Sequence, residues 1–167
     1  MYMFKLYTHK KIRIINKTKA QIGIITKLID FCIPKKIKNY PLDMLIIYRN
    51  NYRKTLKKTK VEKKFNLKSA YPFRAIVYHG MKNNKYRPLV IITVPKRNML
   101  IEIIGDKKLG YLPMKLTGQI EDFIASTSHE LYHCVQGVLD KPYNETAADR
   151  YAISCLKRWR KNAPHRS

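Results

Sequence analysis

The chain predicts an α+β domain made of an N-terminal helix, a small and mostly antiparallel sheet, and two long helices in its last third. Three observations lead there. Between residues 18 and 31, Ile22, Ile25, Leu28 and Ile29 recur at helical spacing, and Pro34 closes the segment. Short apolar, β-branched runs at 42–48, 74–78, 89–94 and 99–104 are separated by the turn residues Gly80, Asn83, Asn84, Pro95 and Asn98. Residues 117–136 and about 144–160 then read as helices, the first with Thr117, Ile120 and Glu121 at its start and Gly137 at its end. The polar, basic stretch 50–64 fits a loop or a solvated helix equally well.

At 167 residues the chain is sized for one domain, 1–167, with a tail that frays after about residue 162. No apolar run reaches the roughly 18 to 20 residues needed to cross a bilayer, and charges interrupt the N-terminus too early for a signal peptide. A cytoplasmic protein with no membrane partner is therefore expected. Cys32, Cys134 and Cys155 are odd in number and match neither a disulfide framework nor a CxxC site, so they read as reduced thiols.

The formal charge is +24, and it is unevenly spread. Residues 1–68 hold nineteen basic side chains against three acids, whereas residues 69–167 hold sixteen against eight. Such a field attracts polyanions. Nucleic acid or an acidic protein is thus a candidate partner for the basic N-terminal half, with Lys54, Lys57, Lys58, Lys63 and Lys64 as its densest cluster.

The segment His129-Glu130-Leu131-Tyr132-His133 carries the chemistry. On a helix, residues four apart share a face with Cβ atoms roughly 5–6 Å apart, so His129 and His133 can offer two imidazole nitrogens to one cation. Glu130 is rotated about 100° from His129, which brings its carboxylate to the edge of the metal face as a general base for a metal-bound water. A pattern of this kind arises by chance in about one such sequence in two hundred, so the next element matters. There Glu145 and Asp149 are again four apart, and Ala148 and Ala152 keep their helix face small. Glu145 can complete the metal's protein ligands, and Asp149 can accept the free ring N–H of a ligating histidine.

HELYH followed by NETAAD resembles the gluzincin metallopeptidases, whose pattern is HExxH and then, on a second helix, ExxxD, often after Asn. The ExxAD variant, with Ala152 three residues on, is similar to that of the CAAX prenyl proteases and the small soluble minigluzincins. The resemblance covers roughly residues 117–160. It implies a zincin-like fold with an active-site helix and a glutamate helix. It implies zinc on His129, His133 and Glu145, Glu130 as catalytic base, and Asp149 behind the ligands. It implies hydrolysis of peptide bonds, with an extended peptide or protein substrate added to an edge strand, here 89–94 or 99–104. The membrane helices of the prenyl proteases are missing, and the link between the two helices is short.

Other metal sites fit less well. A metzincin needs Gly at 136 and His at 139, where the chain has Gln136 and Leu139, and the third histidine of a SprT-like peptidase has only His165 to supply it. Tyr143, Tyr151 and His79 are candidates for stabilising an oxyanion. Cys134 points about 100° from His133 and reads as a buried thiol. Trp159, amid Lys157, Arg158, Arg160 and Lys161, reads as a packed ring on a charged helix end rather than a base-stacking residue. The alternative to a peptidase is a basic polyanion-binding protein with a structural or inactive zincin-like helix pair.

Overall fold

A computed structural model describes residues 6–51, 74–82, 85–96, 102–105 and 111–162. In chain order its strands are β1 (Leu6–His9), β2 (Ile12–Asn16), β3 (Leu42–Tyr48), β4 (Ala75–Tyr78), β5 (Met81–Lys82), β6 (Lys85–Tyr86), β7 (Leu89–Val94), β8 (Glu102–Ile104) and β9 (Met114–Leu116). The helices are α1 (Ile22–Cys32), α2 (Gln119–Val138) and α3 (Glu145–Asn162). The α+β class is as the sequence predicts. Most of the stretch 50–64, with its lysine cluster, and the tail after residue 162 lie outside the described residues.

The main sheet has the order β1-β2-β3-β7-β4. Four of the six strand pairings among the described residues are antiparallel, and the two parallel ones, β2 with β3 and β3 with β7, form the sheet's centre. Their composition explains the placement. LDMLIIY and LVIITV are almost unbroken apolar runs, which suit strands buried on both faces. Alternate residues go to opposite sides. Met44, Ile46, Val90 and Ile92 face the helices, while Leu45, Ile47, Leu89 and Ile91 form a second cluster on the other face. Leu89–Val94 is thus an internal strand. It pairs with both β3 and β4, so it is not the substrate edge proposed above; the sheet edge beside α2 is β4.

Helix α1 starts later than its periodicity suggests. Asn16 Oδ1 accepts from both the amide and the hydroxyl of Thr18, the Thr18 hydroxyl accepts from the Ala20 amide, and the Asn16 amide group donates to Ala20 O. Side chains that hold the backbone in a loop compete with helix formation. From Ile22 onward, Ile25, Leu28, Ile29 and Cys32 are buried, and Pro34 follows the C-terminus as predicted.

Helix α2 is the centre of the packing, in contact with α1, α3, β4 and β7. Its N-cap is Gly118 rather than Thr117; the Thr117 amide instead donates to the Glu121 side chain at 2.9 Å. Asp122, wholly buried in the first turn, anchors the helix to the sheet. It accepts from Arg49, just after β3, at 2.6 Å and from Arg74, just before β4. A carboxylate at a helix N-terminus is also favoured by the helix dipole. No helix among the described residues is long and apolar enough to cross a membrane.

Register fixes a second ion cluster. Arg13 and Asp43 are cross-strand partners in the β2–β3 ladder. Arg13 grips Asp43 with two hydrogen bonds of 2.7 and 2.5 Å, and Arg87 adds two more, of 3.0 and 2.8 Å, to Asp43 Oδ1. Burial pushes the Asp43 carboxyl up, but the two guanidiniums outweigh it and hold its pKa below the ordinary value. A depressed folded-state pKa gives stability that is fully present above the unfolded value and is lost as pH falls through the folded one. Asp43→Asn is therefore expected to lower the unfolding free energy at pH 7 by about 1–2 kcal/mol, a figure discounted for partial exposure. Denaturant melts over a pH series should show the gap between wild type and variant closing below about pH 4; a pH-independent gap would contradict this assignment.

Candidate metal centre

The centre is built where α2 and α3 touch. Ala148 and Ala152 on α3 are both fully buried, and their small side chains let the two helices approach closely. Asn144 starts α3 as its cap, the side-chain oxygen accepting from the Ala147 amide at 2.9 Å. Glu145 therefore sits in the first turn, where the dipole favours a carboxylate.

The helix pairing brings His129, His133 and Glu145 together. His129 Nε2 lies 3.1 Å from His133 Nε2 and 3.0 Å from Glu145 Oε2, and His133 Nε2 lies 3.3 Å from that same oxygen. A tetrahedron with metal–ligand distances of about 2.0–2.1 Å has edges of about 3.3 Å. The three atoms fit one face of such a polyhedron, and the group could hold a metal ion.

The outer ring nitrogens decide what the inner ones can do. His129 Nδ1 is 2.9 Å from Asp149 Oδ1, and His133 Nδ1 is 2.7 Å from Gln136 Oε1. Both partners accept, so both rings carry their proton on Nδ1. In the neutral ring form this leaves two Nε2 lone pairs facing a carboxylate oxygen. Three acceptors at this spacing repel one another unless a cation sits among them. Burial lowers the His129 pKa, and the neighbouring His133 ring lowers it further, against the pull of Asp149 and Glu145. Protonating that ring is thereby disfavoured, which suits a metal ligand.

Asp149 is 1% exposed and holds two elements at once. Oδ1 holds His129, while Oδ2 accepts the Leu112 amide N–H at 2.6 Å. The backbone at Leu112 is in turn pressed against Gly105, where φ is +98° and a Cβ would collide with the Leu112 carbonyl. Glycine is required there both for conformation and for space.

Glu130 is buried at the inner edge of the site. Burial first, and the charge of Glu145 second, raise its pKa to about 8, opposed by a hydrogen bond from the Val77 backbone in β4. A divalent cation on the three donors would reverse the effect of Glu145 and favour the ionised form. His129 and Glu130 open onto a cleft of about 640 Å³ that Ala75, Ile104, Tyr111 and Met114 also line.

The oxyanion candidates separate. Tyr151 is engaged elsewhere, its hydroxyl donating to Cys32 O at 2.8 Å. His79 and Tyr143 stand together, ring centroids 4.9 Å apart, and Tyr143 packs edge-on against the His133 ring at 5.1 Å. Cys134 is buried, and Trp159 packs on Phe31, each as its sequence context predicts. Two residues at the site went unread in the sequence. Tyr111 lies in a loop with no motif, and Gln136 entered only as a missing metzincin glycine, although its place three residues after His133 puts it within reach of that ring.

Removing the acceptor behind His133 should loosen the centre. Gln136→Leu is expected to weaken divalent-metal affinity about 10–100-fold, measured by competition with a chromophoric chelator. An unchanged affinity would show that His133 needs no such partner.

No known protein family, characterised protein or solved structure matches the chain, so the chemistry of the site stands on these side chains.

Proposed function

We propose that the protein is a zinc-dependent metallopeptidase of gluzincin type. The observation that carries this reading is the convergence of three potential ligand atoms, His129 Nε2, His133 Nε2 and Glu145 Oε2, beside the buried Glu130 at a cleft. Two imidazoles and one carboxylate are a donor set that suits zinc. Bound there, zinc would act as a Lewis acid, polarising a carbonyl and lowering the pKa of a coordinated water towards about 7.

The chain's own residues supply the rest. Glu130 takes the proton from the attacking water and returns it to the departing amine, a role that needs a carboxylate whose pKa can approach neutrality. Asp149 and Gln136 hold the histidine rings by their Nδ1 protons and so keep both Nε2 atoms turned inward. Strand β4 is an edge of the main sheet among the described residues, Val77 meets Glu130, and Ala75 lines the cleft. An extended substrate backbone laid along β4 would cross in front of Glu130.

The test separates binding from chemistry. Glu130→Gln should retain one zinc per chain while losing at least about 10²-fold in peptide hydrolysis. Glu145→Ala and His133→Ala should lose the metal itself. Metal analysis and a mixed-peptide cleavage assay, with chelator removal and zinc restoration, read both. A protein that binds no stoichiometric zinc, or a Glu130→Gln variant as active as wild type, sinks the reading.

The excess of nineteen basic residues over three acids in residues 1–68 favours a second property, binding of nucleic acid or an acidic partner. It predicts salt-sensitive retention on nucleic acid that weakens when Lys54, Lys57, Lys58, Lys63 and Lys64 are neutralised together. Retention that ignores salt would exclude it.

A further inference from the structure

A second cavity, of about 490 Å³, lies between the C-terminal half of α2, the α2–α3 connection and the 3-10 turn Lys35–Ile37. Its wall is mainly apolar, and Tyr132, Leu139 and Tyr143 are among the side chains that line it. Leu139 and Tyr143 are 40% and 53% exposed, two of the six large apolar residues so exposed among those described. They are brought to one place by the way α2 ends. Asp140 takes φ of +51°, and the Lys141 amide donates back to Gln136 O at 2.8 Å, which turns the chain over the helix end.

The charge at this cavity is of one sign. Lys35, Lys36 and Lys141 line it, no carboxylate does, and none of the three is in an ion pair among the described residues. An apolar pocket ringed by three unpaired ammonium groups complements a ligand that joins an apolar group to carboxylates. The cavity also shares two residues with the metal centre. Gln136 accepts from His133 Nδ1, and Tyr143 packs on the same ring.

We propose that this cavity is a docking site for an acidic peptide segment, one large apolar side chain entering between Leu139 and Tyr143 while flanking carboxylates meet Lys35, Lys36 and Lys141. The site is separate from the cleft at Glu130 and does not depend on the peptidase reading.

The experiment uses the full chain, metal-free so that no hydrolysis intervenes. A fluorescein-labelled decapeptide with one Phe among Asp and Glu residues is titrated by anisotropy. Reversing the rim with Lys35→Glu, Lys36→Glu and Lys141→Glu together should weaken binding about tenfold or more. The peptide with Phe replaced by Ser should lose about as much. The charge-matched control, Lys27→Glu, Lys157→Glu and Lys161→Glu on exposed positions of α1 and α3, should change it by no more than about twofold. Leu139→Asp, checked for folding by circular dichroism, should behave like the rim variant. Equal losses in the rim and control variants, indifference to Phe, or displacement of the peptide by an equally charged oligothymidylate at equal concentration would each overturn the proposal in favour of general polyanion attraction. Self-association that the rim variant abolishes, with no peptide bound, would overturn it in favour of a second copy of the chain.

Discussion

The close approach of α2 and α3 is the constraint on which the site depends. Ala148 and Ala152 have no side chain beyond Cβ, and both are fully buried. A larger residue at either position would push the helices apart, and overpacking of this kind costs typically 1–3 kcal/mol. Here the geometric penalty would exceed the energetic one. Glu145 lies three residues before Ala148, and Asp149 immediately follows it, so any displacement of α3 moves a candidate metal ligand and the acceptor behind His129 together. The 3.0 Å contact from His129 to Glu145 and the 2.9 Å contact to Asp149 both cross this interface.

Electrostatics then explains why so much polar surface is buried in a domain this small. Asp122, Glu130, His133, Gln136 and Asp149 on α2 and α3 are all buried, which is costly unless each finds a partner. Asp122 has two guanidiniums, Asp149 has a ring N–H and a backbone amide, and His133 has Gln136. Glu130 has only the Val77 backbone and a neighbouring like charge, and its pKa rises accordingly. The three inward atoms of His129, His133 and Glu145 converge within 3.0 to 3.3 Å of one another. The convergent inward atoms are thus gathered where a cation and a water would satisfy them, while on the same helix the buried hydroxyls of Ser126 and Thr127 also stand without a partner.

Much of this was legible in the sequence where local pattern and tertiary role agree. The runs at Leu42–Tyr48 and Leu89–Val94 are strands to the residue, because a doubly buried strand must be apolar throughout. The face of α3 was legible because only small residues and carboxylates fall on it. The hairpin β1–β2 was not, since its turn at Lys10 adopts φ of +56° with no Gly or Asn to announce it, and β1 has no buried residue. The parallel centre of the sheet was not legible either. Strand direction depends on the crossover through α1, which strand composition does not encode. Gln136 escaped because its role is set by the ring it meets rather than by a motif.

Strand β4 illustrates how the scaffold and the site are joined. At its start, Arg74 is bound to Asp122 in the first turn of α2; further along, the Val77 backbone meets Glu130 two turns later on the same helix. A short edge strand, paired on one side only among the described residues, is thereby held against α2 at two points. Edge strands are otherwise the least restrained part of a sheet. Fixing this one to the helix that carries His129 and Glu130 makes the separation between the sheet edge and the site a property of the fold, set by Asp122 and Glu130 rather than by the loops around them. A backbone docked on β4 would inherit that separation, which is what orienting a scissile bond requires.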